Sequence, residues 1–342
     1  MNPIFDSIND LILKVESEVK SLRKSSLLLQ KKLCENPEYV ESCITRALDH
    51  IPPSMLSENL VRILQKKKIP IHNCASFSLL NSIRIHRNYV CGFNNNIIPI
   101  HDKMVGRELA NHLGFITPRK ISEVSDIESI DFKENCMLKP IGEAGGKGVY
   151  YIFSKNNIIP VKKGKKLTSF AALRDRILCD LEAGVLKSNK FFLEEVIYED
   201  VVNKIPGRDI KFFMFYGEIG IVLENVKKPN LRRCWFDSKS NLIETGKYQD
   251  KKFQGVGFNK SLADEVCRLS AMLPVPFMRI DLIKSHDDKL VLGEFSPKPA
   301  GYDLYNAEID QFLGSLFLDA EARLAKDLIL RNNKFNEFLG FI

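Results

Sequence analysis

The chain has little of what marks the more easily read protein classes. Its eight cysteines (34, 43, 74, 91, 136, 179, 234 and 267) form no C-x-x-C pair, and its six histidines are equally scattered. That excludes a structural zinc site of the usual spacing and implies reduced thiols, hence a cytoplasmic protein. No apolar run approaches the length of a membrane span. Asp6, Asp10, Glu16 and Glu18 interrupt every apolar stretch near the N-terminus, so none reads as the core of a secretory signal. There is no internal repeat and no low-complexity segment. The net charge of +7 is mild for 342 residues, and no basic stripe interleaved with aromatics accompanies it. Nucleic acid is therefore not the expected partner.

What is present is a sizeable apolar fraction, 44%, with 22 phenylalanines. A chain this long with that much apolar surface divides into two or three lobes. Residues 3–33 place apolar side chains at helical spacing, and 38–50 and 57–66 read as further helices separated at Pro52-Pro53. The expected organisation is a helical N-terminal region over 1–100, a small lobe over 101–197 and a large lobe over 198–342. The first helix packs on its own lobe, forms a homodimer contact or attaches to a partner or membrane surface. From His101-Asp102-Lys103 a helix runs to about Leu113. Strands follow at 136–140, 148–153, 191–197, 209–216, 219–224, 277–284 and 289–295, with helices near 168–182, 260–272 and 307–331. Lysines at 66–68 and in Lys162-Lys163-Gly-Lys165-Lys166 read as a solvated helix end and an exposed turn, or as a landing surface for an anionic substrate.

Four segments carry chemistry. In Met278-Arg279-Ile-Asp281 and Gly293-Glu294-Phe-Ser296, two apolar runs joined by a polar turn form a hairpin. Alternation puts Arg279 with Asp281 on one strand face, and Glu294 with Ser296 on the other strand's face. Two carboxylates, an arginine and a hydroxyl can converge there, and hard oxygens of this kind hold Mg²⁺ beside phosphates. In Lys139-Pro-Ile-Gly142-Glu-Ala-Gly145-Gly146-Lys147-Gly148, an apolar strand passes through a glycine-rich loop and returns as a strand. Such a loop brings backbone N–H groups to phosphate oxygens, with Lys139 and Lys147 supplying charge; the alternative is a hairpin with a flexible tip. It is not a Walker A loop, because Lys147 is not followed by Ser or Thr. In Phe191-Phe-Leu-Glu194-Glu195-Val196-Ile197, two acids interrupt a buried strand, which is costly unless they are paired or used. The alternative is an edge strand with solvated acids. In Asp209-Ile-Lys211-Phe-Phe, Asp209 and Lys211 share the face opposite Ile210 and Phe212.

The order of these motifs, from Asp102-Lys103 and Met137-Leu-Lys139-Pro to Arg279-Ile-Asp281 and Glu294-Phe-Ser296, resembles the ATP-grasp superfamily over roughly residues 100–305. The details are most similar to the TupA-like ATP-grasp proteins of bacterial polysaccharide biosynthesis; D-alanine–D-alanine ligase is a more distant relative. The resemblance implies an α/β (α+β) ATP-grasp fold, with two lobes clasping ATP beside a mainly helical N-terminal region. It also implies the roles of individual residues. Lys103 and Lys139 contact ATP, and Gly145, Gly146, Lys147 and Gly148 lie in the loop that closes over the phosphates. Glu194, Glu195, Val196 and Ile197 line the adenine and ribose site, with Asp209 near the ribose. Lys211 reaches phosphate or substrate, Arg279 steadies the transferred phosphoryl group, and Asp281, Glu294 and Ser296 hold Mg²⁺. Ser296 stands where the superfamily usually has Asn. Lys298, in the stiff Pro297-Lys298-Pro299 segment, is placed to bind an anionic acceptor.

The implied reaction joins a carboxylate to an amine through an acyl phosphate, with a sugar carboxylate as the acid and an amino acid or amine as acceptor. A kinase acting on a hydroxyl and a nucleotide binder without turnover are the rival readings.

Overall fold

The computed structural model describes residues 3–48, 57–67, 69, 76–85, 100, 102–143, 145–162, 164–226, 231–248, 253–287, 289–302, 304–330 and 333–341. Pro52-Pro53, Lys68, His101 and Lys163, which the sequence reading used, lie outside them.

The chain divides into two compact units, residues 1–80 with 306–318, and residues 81–305 with 319–342. In the first, helices α1 (Pro3–Glu35), α2 (Val40–Leu48) and α3 (Glu58–Lys66) enclose a small core of Leu33, Val40, Ile44, Leu60 and Leu64. Within the same unit, the Asp310 carboxylate accepts from Ser76 Oγ at 2.5 Å and Ser78 N at 2.8 Å, capping the start of α4 (Phe77–Ile85). That helix falls in a stretch where the sequence reading marked no boundary.

The second unit is built on two antiparallel sheets. The smaller has the order β3-β2-β1-β4, made of β1 (Cys136–Pro140), β2 (Tyr150–Ser154), β3 (Asn157–Pro160) and β4 (Phe191–Glu195). Alternation gives it two unlike faces. Cys136, Leu138, Tyr150, Ile152, Phe191 and Leu193 pack with Leu173 and Ile177 of a helix preceding β4, Phe170–Glu182. Met137, Lys139, Tyr151, Phe192 and Glu194 point the other way, being register partners across β1, β2 and β4.

The larger sheet has the order β10-β9-β8-β7-β11-β12. Its strands are β7 (Asp209–Phe215), β8 (Glu218–Val226), β9 (Arg232–Phe236), β10 (Leu242–Ile243), β11 (Met278–Lys284) and β12 (Leu290–Ser296). The short strands β5 (Tyr198–Asp200) and β6 (Ile205–Pro206) pair between the two sheets in sequence. One face of the large sheet, with Ile210, Phe212, Met214, Ile280 and Phe295, forms the main core.

In chain order after α4 the helices are α5 (Lys103–His112), α6 (Phe170–Glu182), α7 (Lys260–Met272), α8 (Ala307–Leu330) and α9 (Asn336–Phe341). Asp102 caps α5, accepting from Met104 N at 2.8 Å and Val105 N at 3.2 Å. Leu109, Ala110 and Leu113 bury α5 and its C-cap in the large-sheet core, although the helix precedes the small sheet in sequence. The expected mixed α/β class and helical N-terminal region are therefore observed. Strands β3, β5, β6, β9 and β10 are additions to the sequence reading. Apart from β9 they are two to four residues long, at or below the shortest run in which alternation is legible.

Candidate active site

Helix α5, the small sheet and strand β12 meet at a cleft lined by Lys103, Arg107, Pro118, Lys139, Phe192, Glu194, Leu292, Gly293 and Glu294. Cations and carboxylates from separate elements converge there. Glu194 is 3% exposed. It is tied to Lys139, its neighbour on the adjoining strand face, and to Arg107 at 3.5 Å. The acid that interrupts a buried strand is thus paired, as the cost of an isolated buried carboxylate demands. The free side of β4 is covered by residues 120–125, since Ile121 N and Ser125 N donate to Leu193 O and Phe191 O. Glu195 points elsewhere, accepting from Arg119 N at 2.6 Å.

Lys103, in the first turn of α5, donates to Glu143 O at 2.9 Å and Pro140 O at 3.4 Å. Burial, followed by the charge of Lys139, holds its ammonium below the ordinary lysine value. Glu143 is buried and its carboxylate accepts from Lys187 N at 2.7 Å, which fixes the start of the glycine-rich loop. Within that loop Gly145, Gly146 and Gly148 all have positive φ, and Lys147 is exposed at the tip. At Gly148 a Cβ would also meet the Leu186 side chain at 2.9 Å, so a larger residue must displace that neighbour as well as adopt the left-handed conformation.

The hairpin β11–β12 has the register the alternation implies, Arg279 opposite Ser296 and Asp281 opposite Glu294. On its other side β11 pairs with β7, setting Asp281 opposite Lys211. Arg279 grips Asp281 in bidentate fashion at 2.6 and 2.8 Å and reaches Glu294 at 3.3 Å. Lys211 bonds the second oxygen of Asp281 and stands 3.9 Å from Asp209. Burial pushes the Asp281 carboxyl up, and the charges and hydrogen bonds of Arg279 and Lys211 more than reverse this, so its value falls below the ordinary one. Buried Arg84 donates to Phe277 O at 2.6 Å and Pro297 O at 3.1 Å, anchoring both ends of the hairpin.

Sequence reasoning missed Arg84, Arg107 and Glu143. Arg107 had a signal, since it lies four residues after Lys103 on the same helix face. Of the expected site residues, Lys103, Lys139, Glu194 and Glu294 line the cleft and the others do not. Val196 is buried in an apolar cluster with Met137, Tyr151 and Phe153; the Ile197 carbonyl accepts from Gly207 N at 2.8 Å; Lys298 is exposed. Lys162, Lys165 and Lys166 are also exposed.

Among the described residues no three His, Cys, Asp or Glu side chains gather as a metal cluster. The donors do fit a magnesium ion of the kind that takes one or two carboxylates and completes its shell with water and phosphate. Glu294 is 42% exposed and touched by one arginine nitrogen, whereas both Asp281 oxygens are engaged and Ser296 is buried. Burial pushes the Cys136 and Cys234 thiols up to about 12, so neither supplies a thiolate nucleophile at neutral pH.

The TupA-like ATP-grasp family profile matches residues 93–318, about two thirds of the chain. The chain belongs to the TupA-like ATP-grasp family. Curated proteins offer no match. Solved structures similar to it include the ATP-grasp ligase PsnB complexed with minimal precursor, at 12% identity and TM-score 0.37, covering 66% of this chain and 62% of that one. The D-alanine-D-alanine ligase from Coxiella burnetii matches at 12% and 0.37, over 69% and 61%. The macrocyclase MdnC bound with precursor peptide MdnA, from Microcystis aeruginosa MRC, matches at 12% and 0.37, over 66% and 62%. The chain spans less than two thirds of the length of these three, and at such values they add no argument to the family match. No helix of the described residues is long and apolar enough to cross a membrane.

Proposed function

We propose that this ATP-grasp protein is a ligase that uses ATP and Mg²⁺ to join a carboxylate to an amine through an acyl phosphate. The observation that carries the reading is a cleft in which Lys103, Arg107 and Lys139 face Glu194 and Glu294. Phosphoryl transfer needs neutralised charge and alignment rather than a protein nucleophile. Lys103 and Lys139 neutralise phosphate charge, and the amides of Gly145, Gly146 and Gly148 with Lys147 cover it. Lys211 and Arg279 stand ready on Asp281 to meet the transferred group. The face carrying Met137 and Phe192 offers the base a flat apolar wall, with Glu194 at its edge. Glu294, with Asp281 and Ser296 beside it, would hold Mg²⁺, which supplies Lewis-acid stabilisation of the phosphates when bound.

In this reading the two sheets are the two lobes that grasp the nucleotide. The substrate acid attacks the γ-phosphorus, ADP leaves, and the amine displaces phosphate from the acyl phosphate to form the amide. Following the family, the acid is a sugar carboxylate of surface polysaccharide synthesis. Lys298, exposed beside the hairpin, would meet an anionic substrate. The six described cysteines are free, in keeping with a reducing, cytoplasmic setting.

The test is ATP turnover with Mg²⁺ against a panel of carboxylates, uronic acids included, with hydroxylamine and mixed amino acids as acceptors. ADP, phosphate and a hydroxamate appearing together support the ligase. ADP with a phosphorylated product and no free phosphate would make the protein a kinase and sink the proposal.

A further inference from the structure

Beyond the cleft, the site face of the large sheet continues across β8 and β9. Register places Asp209 opposite Asn225 and Asn225 opposite Arg233, so one polar row crosses three strands on the face that carries Lys211 and Asp281. With strands about 4.8 Å apart, the row spans on the order of 10 Å.

Two of its members each carry a buried, unsatisfied polar atom. Asn225 is 7% exposed, and its Oδ1 has no hydrogen-bond partner. Arg233 Nε is also buried without a partner. Orphaned atoms of this kind are costly and call for a ligand or ordered water. Arg233 is held flat rather than mobile: its guanidinium lies over the Tyr248 ring, 3.9 Å from the centroid. Tyr248 in turn stacks on Trp235 at 6.1 Å and 7°. A guanidinium fixed by its face keeps its edge N–H groups for a planar anion, and a carboxylate matches that fork.

The charge along the row runs from carboxylate at Asp209, through a neutral amide, to guanidinium at Arg233. A ligand complementary to it has a cationic amine at one end and a carboxylate at the other. We propose that this row is the subsite of the amine substrate, and that this substrate is an amino acid with its carboxylate on Arg233 and its amine toward Asn225 and Asp209. The assignment to the acceptor rests on the ligase reading; the zwitterion chemistry rests on the row itself. The orientation puts the amine on the side of Lys211 and Asp281, where the acyl phosphate would form, and leaves the carboxylate away from it.

Saturation-transfer NMR on the full-length protein with millimolar mixtures of the common amino acids tests this without turnover. The expected result is binding of one or a few amino acids, with their N-acetyl and α-amide derivatives silent. Arg233→Met and Asn225→Leu should each weaken the Kd at least about tenfold, with ADP affinity unchanged. Absence of amino-acid binding, equal binding of the blocked derivatives, or an unaltered Kd in both variants would overturn the assignment. Failure of the ligase reading would appear separately, as no ATP consumption with any acid even where amino acids bind.

Helix α1 carries an independent signal. Phe5, Ile12 and Val19 fall at a positions of a heptad, and Ile8, Val15 and Leu22 at d. Ile12, Val15 and Leu22 are 50%, 57% and 46% exposed. One turn later the same face, at Ser26, Gln30 and Leu33, is buried in its own unit, where Gln30 Oε1 accepts from Ser57 N at 2.5 Å. The stripe before it is uncovered.

We infer that a second copy of the chain covers this stripe as a parallel two-stranded coiled coil. β-Branched Ile12 and Val19 at a, with Leu22 at d, favour two strands. Between Phe5 and Leu22, the acids Asp6, Asp10, Glu16 and Glu18 outnumber the bases Lys14 and Lys20, a poor match for an anionic membrane. Light scattering should give a dimer mass that Ile12→Glu/Val15→Glu reduces to a monomer, with the thermal transition retained. A monomeric wild type, a dimer indifferent to the variant, or flotation with lipid vesicles in place of dimerisation would overturn it.

Discussion

The two sheets of the second unit solve opposite problems. The site-facing side of the small sheet is mostly apolar and aromatic, with Met137, Tyr151, Phe153, Phe192 and Val196, and has one charge cluster at its end, Lys139–Glu194–Arg107. The corresponding side of the large sheet also buries apolar residues, Phe213, Leu223 and Trp235, but adds a continuous ionic network of Asp209, Lys211, Arg279, Asp281 and Glu294. An apolar wall favours a flat base, and a fixed ionic lattice favours phosphates and a transferring phosphoryl group. The difference teaches that a nucleotide site can be divided between two sheets that each bury one conventional core face and lend the other.

The sharpest way to break this comparison is to remove charge from the large sheet. Glu294→Gln should reduce turnover at least about a thousandfold with the fold retained, because Glu294 is half-exposed and makes one weak contact. Turnover near wild type, measured as ADP release, would remove the metal assignment.

Asp281→Asn should act on stability as well, since it leaves Arg279 and Lys211 uncompensated in a buried place. The expected loss in urea unfolding is about 3–5 kcal/mol. The sign of the pH dependence follows from its lowered value. Stability contributed by Asp281 is fully present above the ordinary value of 3.8 and is lost as pH falls through the lower folded value. The asparagine variant should lack that acid-side loss.

On the small sheet, Lys139→Ala should weaken ATP binding by about 10- to 100-fold in a calorimetric titration. An unchanged Kd would move the nucleotide elsewhere. Gly148→Ala should slow turnover more than it weakens the fold, with a stability loss of about 1–3 kcal/mol from positive φ and the Leu186 contact. Equal kcat in variant and wild type would argue against a closing loop.

The smallest expected effect is alkaline. Lys103 is held below 10.5 by burial and Lys139, and phosphate favours its charged form. ATP affinity should therefore fall as pH rises through that lowered value. In Lys103→Met the pH dependence should flatten, and an unchanged slope would exclude Lys103 as a phosphate contact.

Much of the fold was legible because its strands obey simple alternation. The faces of Arg279, Asp281, Glu294 and Ser296, and of Asp209 and Lys211, followed from period two and are those of the structure. Family membership followed from motif order and agrees with the matched profile. Helix α5 was legible as a helix, yet its packing on the large sheet was not, because a helical stripe says what is buried and not against what. Arg107 was hidden for the same reason: its partner Glu194 is 87 residues away. The row Asp209–Asn225–Arg233 was invisible because it runs across three strands, and alternation along one strand does not say which residues lie opposite it.

The sequence alone determined which side chains share a strand face and which residue types are available for chemistry, because backbone geometry fixes alternation locally. Which faces meet was decided only by tertiary structure. The cleft brings α5, β4 and β12 together across long separations, and those contacts depend on how two cores pack rather than on any local preference.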